Sequence, residues 1–233
     1  MINNDLRIES YRARLDAVGR VQIPAFLQES SAERLRQCLS REVPWEPGQR
    51  SDRPPLLPST AQELSPPQQD RARLMEAVRR AMSGFEFFFD RFKMIEARRD
   101  GMHPELVLHV VVDFLNSPDF LAFARELTGD HGIRMVSAMA VRYRAGHFLR
   151  MHDDKSHDED RAFAYVINLG RNWEADWGGL LQFVDDRQNV VETFTPHWNS
   201  LSLFRVPQAH QVSQVAPWAG DHRYSITGWF RRS

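Results

Sequence analysis

A chain of 233 residues with a formal net charge of -1 is long enough to bury one large core or two small ones. Its 42% hydrophobic and 26% charged content is that of an ordinary globular protein, without the basic excess that nucleic-acid binding uses. No direct nucleic-acid partner is expected.

The N-terminal M-I-N-N-D-L-R-I-E-S has no apolar core of leader length and no later run approaches a membrane span, so a cytoplasmic location without membrane association is expected. The single cysteine, Cys38, cannot close an intrachain disulfide and reads as a small buried hydrophobe in a reducing compartment. Leu6, Tyr11, Leu15 and Val18 mark a weak helix within 6–20. V-Q-I-P is a short strand, and the apolar spacing from Phe26 to Leu39 predicts a helix capped by Ser30 or Ser31.

Seven of the thirteen prolines lie in 44–67, which predicts a long connection, read first as a surface loop with a lid over substrate as the alternative. Pro66 and Pro67 open a helix through Met82 that Gly84 closes. F-E-F-F-F-D-R-F-K-M-I-E is read as one strand, 104–115 as a helix, and 118–128 as another with Ser117 as N-cap and Gly129 just past its end.

From residue 131 the pattern changes to short β-type runs: 134–143, 148–152, 163–169, 180–184, 190–194, 200–206, 210–215 and 224–230. Runs of this length and spacing are what a double-sheet jelly roll needs. The expected architecture is therefore α+β, one domain over 1–233, with 1–130 mainly helical support and 131–233 a jelly-roll core.

In Y-R-A-G-H-F-L-R-M-H-D-D, His152 and Asp154 are two apart, so an extended backbone would turn an imidazole and a carboxylate to one face. His210, where a loop with Pro207 enters an apolar alternating strand, is the best third donor, facing the interior opposite that pair. Two histidines and a carboxylate on one face of an ion make the facial triad of non-haem Fe(II) oxygenases. Arg223 opens R-Y-S-I-T-G-W-F, in which Arg223, Ser225, Thr227 and Trp229 share a strand face, and a guanidinium there can hold a carboxylate through two charge-assisted hydrogen bonds.

H-D-D, a strand ending N-L-G, W-G-G-L-L-Q-F, P-H-W-N-S-L-S-L-F-R-V, H-Q-V-S-Q-V and R-Y-S-I-T-G-W-F, in that order over about 134–231, resemble the Fe(II)/2-oxoglutarate-dependent prolyl hydroxylases. The nearest look-alikes are the ribosomal prolyl hydroxylases, in a single-domain form because 233 residues leave no room for the second jelly roll of the eukaryotic enzymes. The resemblance implies that His152, Asp154 and His210 ligate Fe(II) and that Arg223, helped by Ser225, binds the distal carboxylate of 2-oxoglutarate. It places Tyr143 at the co-substrate, and Asn168 where many relatives carry a tyrosine that touches it. His147 and Trp229 are expected to line the substrate site, while His157, His197 and His222 read as solvated and Asp153 as a spacer.

The implied reaction is hydroxylation of a prolyl residue in a protein or peptide, consuming O2 and 2-oxoglutarate, with ascorbate as an accessory reductant. Two alternatives stand beside it: a hydroxylase of a free amino acid or natural-product intermediate, and a jelly-roll module that binds metal without catalysis.

Overall fold

The structure is a computed structural model that describes residues 1–57 and 64–233. Two antiparallel sheets face each other. The larger contains, in spatial order, β1 (Arg20–Ile23), β11 (Ser200–Arg205), β8 (Arg161–Asn168), β13 (Arg223–Arg231), β6 (Met139–Tyr143), β4 (Asp90–Phe92) and β2 (Glu46–Pro47), with β5 (Met135–Val136) beside β13. The smaller runs β10 (Val190–Phe194), β9 (Leu181–Val184), β12 (His210–Val212), β7 (Phe148–His152) and β3 (Phe87–Phe88). The architecture is the expected α+β jelly roll with helical support.

Strand alternation separates two cores. On β13, Tyr224, Ile226 and Phe230 join the large cluster that packs helices α1 (Glu9–Val18), α2 (Glu29–Arg41), α4 (Met94–Arg99), α5 (Leu108–Leu115) and α6 (Pro118–Thr128) against the sheet. Trp229 instead packs with Ala164, Phe183 and Phe204 between the two sheets. Hydrophobic burial of one face thus fixes which side chains enter the chamber, because a one-residue slip would exchange the faces.

The capping signals at α6 act as expected: Phe120 N donates to Ser117 Oγ at 3.3 Å and Gly129 takes φ 68. At α2 the helix begins at Glu29 after Gln28, so neither Ser30 nor Ser31 caps it. The aromatic-rich run is also not one strand. Phe87–Phe88 pairs with β7 in the small sheet, Asp90–Phe92 pairs with β6 in the large one, and Met94 starts a helix. Alternation persists across the switch between sheets, so composition alone could not separate the two pieces.

The expected strand 134–143 is interrupted at Ser137. A Cβ on Gly228 would stand 2.0 Å from the Ser137 carbonyl oxygen, and Ser137 Oγ accepts the Trp229 N–H at 3.0 Å. The chains touch backbone to backbone there, which only glycine permits.

Of the proline-rich stretch, Glu46–Pro47 extends the large sheet, Gly48 N donates to Phe89 O at 2.7 Å, and Arg80 of α3 (Pro66–Ala81) donates to the carbonyls of Pro54 and Pro55. Leu56 is buried against Ala77, Phe88 and Phe148. These parts are fastened to the scaffold; the loop-or-lid reading of 58–63 lies outside the described residues. No helix among the described residues is long and apolar enough to cross a membrane.

Candidate metal and co-substrate site

His152 ends β7 and His210 opens β12, directly paired in register. They are neighbours in one sheet, with ring centroids 4.2 Å apart, rather than opposite each other across the interior. The register shifts between that pair and Val212↔Leu149, so β7 carries an extra residue. Such a bulge re-aims a side chain. It lets Leu149, which packs inside the chamber, and His152, three positions on, face the same way.

Asp154 reaches the same point by another route than strand alternation. The strand stops at His152, and Asp154 adopts φ 61, which swings its carboxylate back over the imidazoles. His152 Nε2 lies 3.3 Å from Asp154 Oδ1, and His210 Nε2 lies 3.5 Å from Oδ2. The three donors all fall within 4.8 Å of one another. Asp153 spaces them: its carboxylate accepts Lys155 N at 3.0 Å and its carbonyl accepts Gln208 N at 3.4 Å, joining the two ligand-bearing segments.

The imidazoles are prepared for a cation. His152 Nδ1 is 3.0 Å from Arg150 O and His210 Nδ1 is 2.8 Å from Gln208 O. A carbonyl can only accept, so each Nδ1 carries the proton and each Nε2 presents its lone pair. Burial pushes the His210 imidazole down to about 4, keeping it neutral. Burial alone would raise Asp154, but its bond to His152 and the nearby His210 hold it below the ordinary carboxylate value.

Arg223 sits across the chamber on β13, paired with Tyr143 of β6, its guanidinium carbon 5.1 Å from the Tyr143 ring centroid. It is 2% exposed, and its Nε and Nη1 meet no acceptor among the described residues. Burial lowers its pKa from the ordinary arginine value without a carboxylate to offset the effect. A buried cation without a partner is costly, and a ligand carboxylate is what would satisfy it. Gly179, at φ 62, lies beside Arg223: a Cβ there would crowd Val215 Cγ2 at 3.1 Å and the Trp173 ring at 3.2 Å and touch Arg223 Cδ at an ordinary 3.5 Å.

Ser225 and Asn168 are in register beside Arg223, both buried. Asn168 Nδ2 is 3.2 Å from Ser200 Oγ and 3.3 Å from Ser202 Oγ, while its Oδ1 is buried without a partner. The sequence reading marked the strand S-L-S-L-F but gave its serines no role; polar residues at alternate positions of an otherwise apolar strand were the available signal. Arg161 was missed as well. It opens β8 with Nη1 3.3 Å from Asp154 O and its guanidinium carbon 3.7 Å from the centre of the Trp229 indole.

His147, expected to line the substrate site, packs beside the cluster of Leu56, Ala77, Phe88 and Phe148. It is 2% exposed, packs edge-on against Phe88 at 4.7 Å, and burial pushes its pKa down to about 4. A histidine with a folded pKa below its unfolded value near 6.5 stabilises fully above pH 6.5 and loses that contribution as pH falls towards 4. His147→Leu is therefore expected to flatten the acid limb: between pH 7 and 4 the variant should lose on the order of 3 kcal/mol less unfolding free energy than the parent, followed by urea denaturation.

An open cleft of about 460 Å³ lies along 155–161 and Val206–Pro207, next to the segments that carry Asp154 and His210. His157 is on its rim. His222 is half-buried rather than solvated.

Residues 138–231, which contain all three donors and Arg223, match the sequence profile of the 2OG-Fe(II) oxygenase superfamily. The prolyl 3-hydroxylase OGFOD1 of Mus musculus is 31% identical over 119 residues, 48% of this chain and 21% of that protein. The prolyl 3-hydroxylase sudestada1 of Drosophila melanogaster is 33% identical over 107 residues, 41% of this chain and 20% of that protein. The chain thus spans about a fifth of the length of these curated relatives. A prolyl-4-hydroxylase crystal structure from Pseudomonas putida superposes with a TM-score of 0.59 at 20% identity, covering 97% of this chain and all of that one, a likeness of fold. Residues 138–231, less than half of the chain, thus resemble the 2OG-Fe(II) oxygenase superfamily, whose members are oxidoreductases that work with Fe(II), 2-oxoglutarate and dioxygen.

Proposed function

We propose that the chain hydroxylates a prolyl residue in a protein or peptide, releasing succinate and CO2, in a reducing cytoplasmic compartment. His152, Asp154 and His210 hold the iron. Arg223, with Ser225 at its side, takes the distal carboxylate of 2-oxoglutarate, and Tyr143 and Asn168 wall the co-substrate chamber. The observation that carries this reading is the fully buried Arg223 whose Nε and Nη1 find no acceptor among the described residues, on the chamber wall across from a His-Asp-His cluster.

Bound iron with its co-substrate supplies the oxidising chemistry, coupling oxidative decarboxylation of the keto acid to hydroxylation of a C–H bond. The chain's own residues prepare for it. The carbonyls of Arg150 and Gln208 hold both imidazoles in the tautomer that donates from Nε2. Asp154 offsets cationic charge inside the fold, and Arg223 fixes the keto acid in one orientation through paired hydrogen bonds. Phe183, Phe204 and Trp229 on one side, and Phe89, Val141 and Val212 on the other, keep the chamber apolar and poor in water.

The prolyl substrate is supported by the likeness to two prolyl 3-hydroxylases, and a polypeptide rather than a free amino acid by the open cleft beside the ligand-bearing segments. Succinate release is to be measured with Fe(II) and 2-oxoglutarate in the presence of free proline, proline-containing peptides of different flanking sequence, or neither. Stimulation by peptides, with a one-oxygen mass gain on proline, is expected. Stimulation confined to the free amino acid would replace the polypeptide reading, and no consumption of 2-oxoglutarate with iron bound would favour the non-catalytic module.

A further inference from the structure

Of the three donors, His152 is the most open: its side chain is 20% exposed, against 9% for Asp154 and 4% for His210. The approach to the cluster is therefore on the His152 side. The ring that stands there is Phe85, 36% exposed, its centroid 5.4 Å from that of the imidazole. A single surface phenylalanine is ordinary, but this one is held in place. β3 pairs with β7 through Phe87↔Leu149 and Phe88↔Phe148, and Arg150 N donates to Glu86 O at 3.1 Å, which carries the pairing one step further and sets Phe85 beside the end of β7. Arg50 Nη1 donates to Phe85 O at 2.6 Å, and its guanidinium carbon lies 5.3 Å from the centre of the Phe85 ring. Asp52 fixes that guanidinium in turn, accepting from Arg50 Nε at 2.9 Å. Phe85 is also the outer end of a file of rings. Phe87 is 6.2 Å from it, Phe89 stacks on Phe87 at 4.8 Å, Tyr143 is 5.2 Å from Phe89, and the Arg223 guanidinium carbon is 5.1 Å from the Tyr143 ring. One wall of the chamber is thus aromatic from the buried guanidinium out to the mouth, and Phe85 is its one exposed ring.

We propose that Phe85 is the residue that receives the target side chain: its exposed ring takes the pyrrolidine ring of the polypeptide's proline, and Arg50 holds Phe85 at the mouth beside the metal cluster. The role rests on the prolyl reading above and deepens it. A pyrrolidine ring is compact and apolar, and its C–H groups next to the amide nitrogen carry partial positive charge that suits the negative face of an aromatic ring. Aromatic-lined grooves take proline-rich segments in the same way. Stacking also fixes the plane of the ring, and with it the C–H bonds that face the cluster.

The test follows turnover of the full chain with Fe(II), 2-oxoglutarate and the proline-containing peptide that most stimulates succinate release by the parent. Phe85→Leu keeps an apolar side chain but removes the ring face. Its KM for the peptide is expected to rise about 2- to 12-fold, the worth of an aromatic contact beyond its buried area, with kcat little changed. Phe85→Tyr keeps the ring and should show the parent's KM. Co(II) affinity and the KM for 2-oxoglutarate should match the parent in both variants, which a role in packing His152 would not allow. A parent-like peptide KM in Phe85→Leu overturns the proposal, as does a Phe85→Tyr variant that is equally impaired. A raised peptide KM accompanied by weakened Co(II) binding overturns it too, because the ring would then act on the metal ligand. If no peptide stimulates the parent, the prolyl reading itself fails and takes this role with it. Should Phe85→Leu not fold, Phe85→Met takes its place under the same expectation, and loss of the fold in both assigns the ring to the scaffold and overturns the substrate role.

Discussion

Asp154→Ala is expected to remove metal binding and 2-oxoglutarate-dependent succinate release together, leaving a folded protein. Asp154 is the only anion of the three donors, and the two imidazoles that remain lie 4.2 Å apart with nothing to offset a divalent charge. The fold should survive, because the carboxylate is mostly buried between His152 and His210, where its desolvation opposes its attraction to them. Asp153→Ala is the matched control. Asp153 is exposed and its carboxylate bonds only locally, while the carbonyl that accepts Gln208 N survives the substitution, so its loss should change stability by no more than about 0.5 kcal/mol and leave metal binding intact. A metal titration and a succinate assay on both variants decide the matter, and turnover persisting in Asp154→Ala would remove that carboxylate from the site.

How much of this was legible in the residues depends on the range of the interaction that decides each feature. Strands such as Phe148–His152 and Val190–Phe194 are marked locally by alternation and turn residues, and they appear with the expected bounds. Ser117 and Gly129 act as caps because capping is decided within a few residues. The aromatic run 85–96 misled because the same alternation serves two strands that pair in different sheets, which only the partners β6 and β7 settle. The convergence of His152 with Asp154 was anticipated for the wrong reason. A β-bulge and a left-handed aspartate do what simple alternation was expected to do, and neither leaves a mark on H-D-D. Arg161 escaped notice because its two contacts, Asp154 O and the Trp229 ring, are 7 and 68 residues away in sequence and meet only in the folded chain.

Arg223 yields the most discriminating prediction, because stability and ligand affinity should move in opposite directions. In the metal-free protein its guanidinium is buried, with Nε and Nη1 unpartnered and its pKa lowered by burial. Each unsatisfied buried group costs about 1–3 kcal/mol, more when charged. Arg223→Met fills a similar volume without that penalty, so the metal-free variant should be more stable than the parent by at least about 1 kcal/mol. Losing a buried, charge-assisted carboxylate partner should meanwhile cost about 2–5 kcal/mol of 2-oxoglutarate binding, roughly 30- to several-thousand-fold in Kd. With Mn(II) present, 2-oxoglutarate at about one hundred times the parent's Kd should stabilise the parent by about 2.7 kcal/mol and the variant by no more than about 0.9 kcal/mol. A residue serving only as core packing would not behave so: its replacement would destabilise the metal-free protein and leave the co-substrate response in place. Chemical denaturation with and without 2-oxoglutarate measures both, and a destabilised variant that still responds to the keto acid would show that the buried guanidinium serves the fold and not the ligand.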